Sequence, residues 1–134
     1  MSFGGTTGAG GGGGPGVVHI AWYATILRQD GFADAVSAYA PICLRYGATQ
    51  YAVHRSRDDH YRILQMMWFE NKAQWIRYWE GPEMIEFRRR HAGRYQIPIT
   101  YVWHDELTEG ALGPEVPLEA EPEPEPEGEP QATA

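Results

Sequence analysis

The chain has 134 residues, enough for one domain, and a net charge of −7 at pH 7. The acidity is uneven, because residues 17–108 carry 11 basic and 10 acidic side chains whereas residues 109–134 carry eight glutamates and no basic residue. A nearly neutral folded part lacks the basic surface that nucleic-acid binding requires, so we expect no nucleic-acid partner. The single cysteine, Cys43, excludes an internal disulfide and a cysteine-based zinc site, and we expect no metal.

The two ends of the chain predict flexible segments on either side of one folded domain. Residues 1–16 contain nine glycines, which lose the most backbone entropy on ordering. Residues 109–134 alternate glutamate with proline, a composition typical of extended, disordered chain. We therefore predict a Gly-rich flexible arm (1–16), a folded domain (17–108) and an acidic disordered tail (109–134), and either arm could dock a protein partner. The sequence shows no signal peptide and no long apolar run, so we expect a cytoplasmic protein without membrane contact.

The first predicted element is a strand over residues 17–27, where β-branched and aromatic residues dominate. Its two faces differ. One face carries His19 and Tyr23 among smaller residues and is mixed in polarity. The other face is fully apolar, and we expect it to lie beneath helices; it carries Val18, Ile20, Trp22, Ala24 and Ile26.

A kinked helix is predicted over residues 30–46, with Asp30 as its N-cap. Pro41 removes one helical hydrogen bond, so the helix should split near Ala40, and Gly47 should end it. Spacings of three and four residues predict one buried stripe, formed by Phe32, Val36, Tyr39, Cys43 and Tyr46.

A β-hairpin is predicted next, from a strand over residues 48–57 and a second strand over Tyr61–Phe69. The second strand is apolar on both faces, so we expect both of its faces to be covered. One face carries Ile63, Met67 and Phe69, and the opposite face carries Leu64, Met66 and Trp68.

Two short helices and a last strand complete the domain. Asn71 and Gln74 resemble a capping box, so a helix should start there, with Trp75, Ile76 and Trp79 as its buried stripe. Gly81 and Pro82 should interrupt it, since proline suits the first position of a new helix. The second helix, over residues 82–92, should bury Met84, Phe87 and His91, and the last strand should cover residues 99–106.

The Arg88-Arg89-Arg90 run on this second helix has two possible uses. Three consecutive residues spread around a helix, so they cannot all face one ligand. We expect a solvated face that pairs with Glu83 or Glu86. Phosphate binding or contact with the Glu-rich tail is the alternative.

The order β-α-β-β-α-β predicts an α+β fold of the ferredoxin-like type, an antiparallel sheet with helices on one face only. The uncovered face is too apolar for water, so a second identical subunit is the simplest cover. This predicts a homodimer whose two sheets form a dimeric α+β barrel.

Three segments carry a resemblance to a known family: Trp68-Phe69-Glu70-Asn71, Trp79-Glu80-Gly81-Pro82-Glu83-Met84 and Tyr95-Gln96-Ile97-Pro98. With the order of elements, they resemble the antibiotic biosynthesis monooxygenase-like members of the dimeric α+β barrel superfamily. The resemblance implies a homodimer with a pocket between sheet and helices in each subunit. Some members oxidise polycyclic phenols without metal or flavin, so no cofactor is implied; others degrade haem. Phe87 and His91, preceded by Trp79, are similar to a segment of the haem-degrading members, although the spacing is longer and the first strand lacks their asparagine.

The candidate site residues follow from what a cofactor-free oxygenase needs. An aromatic box would hold an electron-rich substrate, and Tyr23, Trp68 and Trp79 are the candidates for it. A base would form the substrate anion, and His54 or His91 could serve near neutral pH. The first hypothesis is therefore a protein that binds or oxidises a small aromatic molecule. The second is a non-catalytic structural or assembly module, for example in a viral particle, in which these aromatic residues are core.

Overall fold

A computed structural model describes residues 14–113, which form a four-stranded antiparallel sheet and four helical segments. The strand order is β2-β3-β1-β4, the ferredoxin-like arrangement that the sequence predicts. In chain order the elements are β1 (Gly16–Tyr23), α1 (Gln29–Tyr39), a 3-10 helix (Ala40–Tyr46), β2 (Gln50–Arg55), β3 (Arg62–Phe69), α2 (Lys72–Trp79), α3 (Pro82–Arg90) and β4 (Thr100–His104).

The ends of the chain fall largely outside this description. The predicted Gly-rich arm, apart from residues 14–16, and the predicted acidic tail from residue 114 onward stay predictions. Residues 105–113 follow β4 without regular secondary structure. Within residues 14–113, no helix has the length and apolar character needed to cross a membrane.

The first strand is shorter than predicted. β1 ends at Tyr23 because the next amides bond elsewhere: the Ala24 N–H donates to the Tyr61 carbonyl and the Thr25 N–H donates to the Arg94 carbonyl. The chain then turns away from the sheet, and Ile26 is 77% exposed. The expectation that Ile26 lies beneath the helices is therefore wrong, whereas its predicted companions on that face are buried.

The kink at Ala40 is confirmed. α1 ends at Tyr39 and the chain continues as the 3-10 helix, with Pro41 in its first turn. Gly47 ends this helix at φ 106°, a left-handed conformation that favours glycine. The predicted N-cap is wrong: Asp30 lies inside the first turn of α1, where its carboxylate accepts a 2.6 Å hydrogen bond from Arg55.

The start of α2 confirms the capping prediction. The Asn71 side chain accepts from the Gln74 N–H at 2.9 Å, and the Gln74 side chain accepts from the Glu70 N–H at 2.9 Å. The predicted stripe is wrong at one position, since Ile76 is 48% exposed and Tyr78 is buried instead. After the break at Gly81, α3 begins at Pro82 as predicted; its core-facing side buries Met84, Phe87 and His91.

The core lies between the helices and one face of the sheet, and it contains a buried amide. Gln65 on β3 is 2% exposed. Its carbonyl oxygen accepts a 2.9 Å hydrogen bond from the Trp22 indole N–H, and its amide nitrogen lies 3.4 Å from the Tyr78 hydroxyl. This chain of polar groups links β1 and β3 to α2 through the core.

The opposite face of the sheet, here called the open face, is only partly covered. Residues paired across antiparallel strands share a face, which puts Tyr23 with Arg62 and His19 with Met66 on this side. Its side chains are half-buried or exposed except Val17. Apolar groups are frequent on it: Ala21, Ala52, Leu64, Met66, Trp68 and Val102.

Candidate functional site

The five predicted site residues lie on two sides of the sheet. Tyr23, His54 and Trp68 belong to the open face, since the strand register pairs them with residues of that face. Trp79 and His91 are each 7% exposed and lie on the helix side. The structure therefore does not bring the five together into one pocket.

Aromatic side chains fill the helix side around Trp79. Its ring stacks on Trp75 with centroids 5.3 Å apart and contacts Tyr101 at 5.4 Å. Trp22, which is 1% exposed, packs against Trp79 and also against Phe32 in α1 at 5.3 Å. The resemblance implies a pocket between the sheet and the helices. In this structure the aromatic side chains named above occupy the space around Trp79.

His91 is a core histidine. Its Nδ1 lies 3.0 Å from the Phe87 carbonyl oxygen, which can only accept, so Nδ1 carries the proton that is shared. The ring packs on Phe87 with centroids 4.5 Å apart and meets Tyr39 edge-on at 6.3 Å. This packing explains the burial of His91 without a catalytic role.

Arg88 is a helix-side residue that the sequence analysis placed on a solvated face. Arg89 and Arg90 do pair with Glu86, at 2.7 and 3.6 Å. The Arg88 guanidinium instead lies 4.0 Å above the Trp79 ring, a cation–π contact. Its NH1 atom is buried and has no hydrogen-bond partner among the described residues. No spacing rule predicts this contact, because the break at Gly81 separates the two helices.

Two cavities on the open face meet at Arg62. The larger has a volume of about 610 Å³ and the smaller about 240 Å³, and Arg62 lines both. We call this combined depression the Arg62 cleft. Tyr23 lines the larger part and His54 the smaller, so both predicted site residues line cavities that Arg62 also lines. Its other lining residues are Ala21, Gln96, Ile97, Pro98 and Thr100 in the larger part and Arg55, Ser56 and Leu64 in the smaller.

Hydrogen bonds hold Tyr23 in place at the cleft. Its hydroxyl donates to Asp59 at 2.8 Å, and the other Asp59 oxygen accepts from the Tyr61 N–H at 3.1 Å. The bond from Tyr23 is the main cause that lowers the pKa of Asp59, and the same bond raises the pKa of Tyr23. The Arg62 guanidinium carbon lies 5.4 Å from the Tyr23 ring centroid. The Arg62 Nε atom lies 3.9 Å from the nearer Asp59 carboxylate oxygen, which is long for an ion pair. An ion pair that long leaves Arg62 donors available to an anionic ligand.

Trp68 lines a separate cavity of about 260 Å³. The acidic residues Glu70, Glu106 and Glu109 also line this cavity. Three carboxylates around one cavity disfavour an anion by charge repulsion. Trp68 is therefore apart from Tyr23 and His54 in both position and electrostatics.

Comparisons with known proteins relate the fold to one group. No protein-family model matches the sequence, and a search of curated proteins finds no match. Of 28 matching solved chains, a candidate antibiotic biosynthesis monooxygenase from Nitrosomonas europaea is 16% identical, aligns over 74% of this chain and 95% of its own, and has a TM-score of 0.64. SnoaB, a cofactor-independent oxygenase from Streptomyces nogalater solved in mutant form, is 9% identical over 71% of this chain and 95% of its own, at a TM-score of 0.61. A candidate antibiotic biosynthesis monooxygenase from Deinococcus radiodurans is 9% identical over 73% and 98%, at 0.63. These likenesses confirm the predicted antibiotic biosynthesis monooxygenase-like fold.

Proposed function

We propose that this chain is a homodimeric α+β barrel protein that binds a small anionic aromatic molecule in the Arg62 cleft. The observation that carries the proposal is the position of Arg62, which lines both parts of the cleft between Tyr23 and His54. A guanidinium binds carboxylate and phenolate oxygens through directed hydrogen bonds, and aromatic rings supply apolar contact. Both recognition elements are present in one cavity.

The apolar character of the open face supports the homodimer. Leu64, Met66, Trp68 and Val102 lie on this one surface, where water would otherwise contact them. An isologous pair of subunits would bury the same patch of each copy against the other. The second copy would also close the cleft from above and reduce the ligand's exposure to water.

Oxidation is the further step that the likeness to a cofactor-independent oxygenase suggests. His54 lines the smaller part of the cleft, and its imidazole would take the proton of a phenol whose anion then reacts with O₂. The Tyr23 hydroxyl is less suited to this task because its own proton is committed to Asp59.

Binding is tested with anilinonaphthalene sulfonate, a fluorescent aromatic anion, on the full-length protein. We expect Arg62→Ala to weaken its binding by about tenfold or more, since one good ionic hydrogen bond is lost. Arg57→Ala is the matched control, because Arg57 is an exposed arginine of the same hairpin that does not line the cleft. Equal affinities for the two variants would refute the role of Arg62.

The alternative function is a non-catalytic structural or assembly module. The observation that favours it is the tight aromatic packing around Trp22 and Trp79, which leaves the implied helix-side pocket filled. Native mass spectrometry of the purified protein separates the two. A dimer that carries a stoichiometric small molecule supports the binding function, and a ligand-free assembly larger than a dimer supports the alternative.

A further inference from the structure

A pair of histidines lies on the open face, outside the Arg62 cleft. His19 is on β1 and His104 is on β4, and their ring centroids are 4.2 Å apart with the planes tilted by 41°. The strand register produces this pair: His19 faces Val102 and His104 faces Val17, so the two histidines are diagonal neighbours on adjacent strands. Both side chains are half-buried in the single chain, and in the proposed homodimer they would lie on the face that meets the second copy.

The hydrogen bonding of His104 leaves one ring nitrogen free for coordination. Its Nδ1 lies 3.3 Å from the Val17 carbonyl oxygen. A carbonyl only accepts, so Nδ1 carries the hydrogen and Nε2 keeps its lone pair. A backbone carbonyl on the other nitrogen is the usual support of a metal-bound imidazole, because it fixes both tautomer and ring orientation.

We propose that His19 and His104 together bind a divalent transition-metal ion, each through one imidazole nitrogen. Imidazole ligands suit Zn²⁺, Ni²⁺ and Cu²⁺ rather than Mg²⁺ or Ca²⁺. Zinc–nitrogen bonds of about 2.0–2.1 Å place two nitrogens of one tetrahedral ion about 3.4 Å apart. The two ring centroids are 4.2 Å apart, so both imidazoles are within reach of one ion. Within residues 14–113 no three potential ligands converge, so this chain would supply two ligands of the ion.

The pair is tested by titrating ZnCl₂ and NiCl₂ into chelator-treated, tag-free, full-length protein in a calorimeter. We expect micromolar binding by the wild-type protein. His19→Ala and His104→Ala should each weaken it by about tenfold or more, since each removes one of the protein ligands. His60→Ala is the matched control, because His60 is an exposed histidine in the turn between β2 and β3, and an equal loss in His60→Ala would replace the role of the pair by non-specific histidine binding. Binding by the wild type that is no tighter than by the double variant, or an equal loss in His60→Ala, would overturn the proposal.

A second measurement does not depend on the variants. Proton–nitrogen correlation spectra of the wild-type imidazole rings follow each histidine during the zinc titration. The signals of His19 and His104 should shift together and saturate at the same zinc concentration, while those of His60 stay in place. A shift of only one member of the pair would show that the rings pack together without binding metal. The result is independent of the proposed ligand of the Arg62 cleft.

Discussion

Replacement of Gln65 by leucine tests whether the buried amide stabilises the core through its hydrogen bonds. The change keeps a side chain of similar volume but removes the oxygen that accepts a 2.9 Å hydrogen bond from the Trp22 indole N–H. Trp22 is 1% exposed, so water cannot replace this acceptor. A buried donor without a partner costs about 1–3 kcal/mol. The Tyr78 hydroxyl lies 3.4 Å away at the limit of a hydrogen bond, so its loss should add little. We expect Gln65→Leu to lower the free energy of unfolding by about 1–3 kcal/mol, measured by guanidinium denaturation followed by circular dichroism.

A double-mutant cycle separates the hydrogen bond from the change in shape. Trp22→Phe removes the indole donor and leaves a cavity. The free-energy cost of this cavity is present in both variants that carry Trp22→Phe, so it cancels in the coupling energy. In that background Gln65→Leu should cost less, by a coupling energy of about 1–2 kcal/mol. A coupling energy below about 0.5 kcal/mol would refute the reasoning, because such values are typical of independent sites. The loss would then belong to packing around residue 65.

Two further predictions rest on single contacts. The Tyr46 hydroxyl donates to Glu83 at 2.6 Å and is the main cause that lowers the pKa of Glu83. A carboxyl pKa that is lowered on folding stabilises the folded state at pH values above the ordinary carboxyl pKa, and this contribution disappears as the pH falls through the folded-state pKa. Thermal melts should therefore show Tyr46→Phe less stable than wild type at pH 7, with a smaller difference near pH 3. Burial raises the pKa of the Cys43 thiol to about 12, so Ellman's reagent at pH 8 should label it only after unfolding. Rapid labelling of the folded protein would contradict the burial of Cys43.

The order of elements was predictable because each begins or ends at a residue with a local effect. Pro41, Gly47 and Asn71 act on the backbone within a turn, so their consequences can be read without tertiary contacts. The choice of Ile76 over Tyr78 for the core failed for the opposite reason. Hydrophobicity favours isoleucine, but the Tyr78 ring packs against Tyr46 and Phe69, which only the tertiary structure brings beside α2.

The grouping of Trp79 and His91 with Tyr23 could have been avoided from the sequence. Alternation along β1 places Tyr23 opposite Trp22, and a ferredoxin-like sheet has helices on one face only. Residues of α2 and α3 therefore cannot share a pocket with Tyr23. The Arg62 cleft itself was not predictable, because its larger part needs Ile97 and Pro98, and no pattern places that connection beside β1.

The likeness to monooxygenases concerns the backbone, and the chemistry of a site depends on side chains. Identities of 9–16% leave most side chains free to differ from those relatives. At Trp22 and Trp79 this chain packs aromatic rings against one another on the helix side, so a substrate there would first have to displace part of the core. Such a displacement costs about 2–5 kcal/mol for each large buried side chain, which would come directly out of the binding free energy. The open face carries no such cost, since the Arg62 cleft already exists in the single chain. A ligand of this protein is therefore better sought on the open face of the sheet than in the helix-side pocket that the resemblance implies.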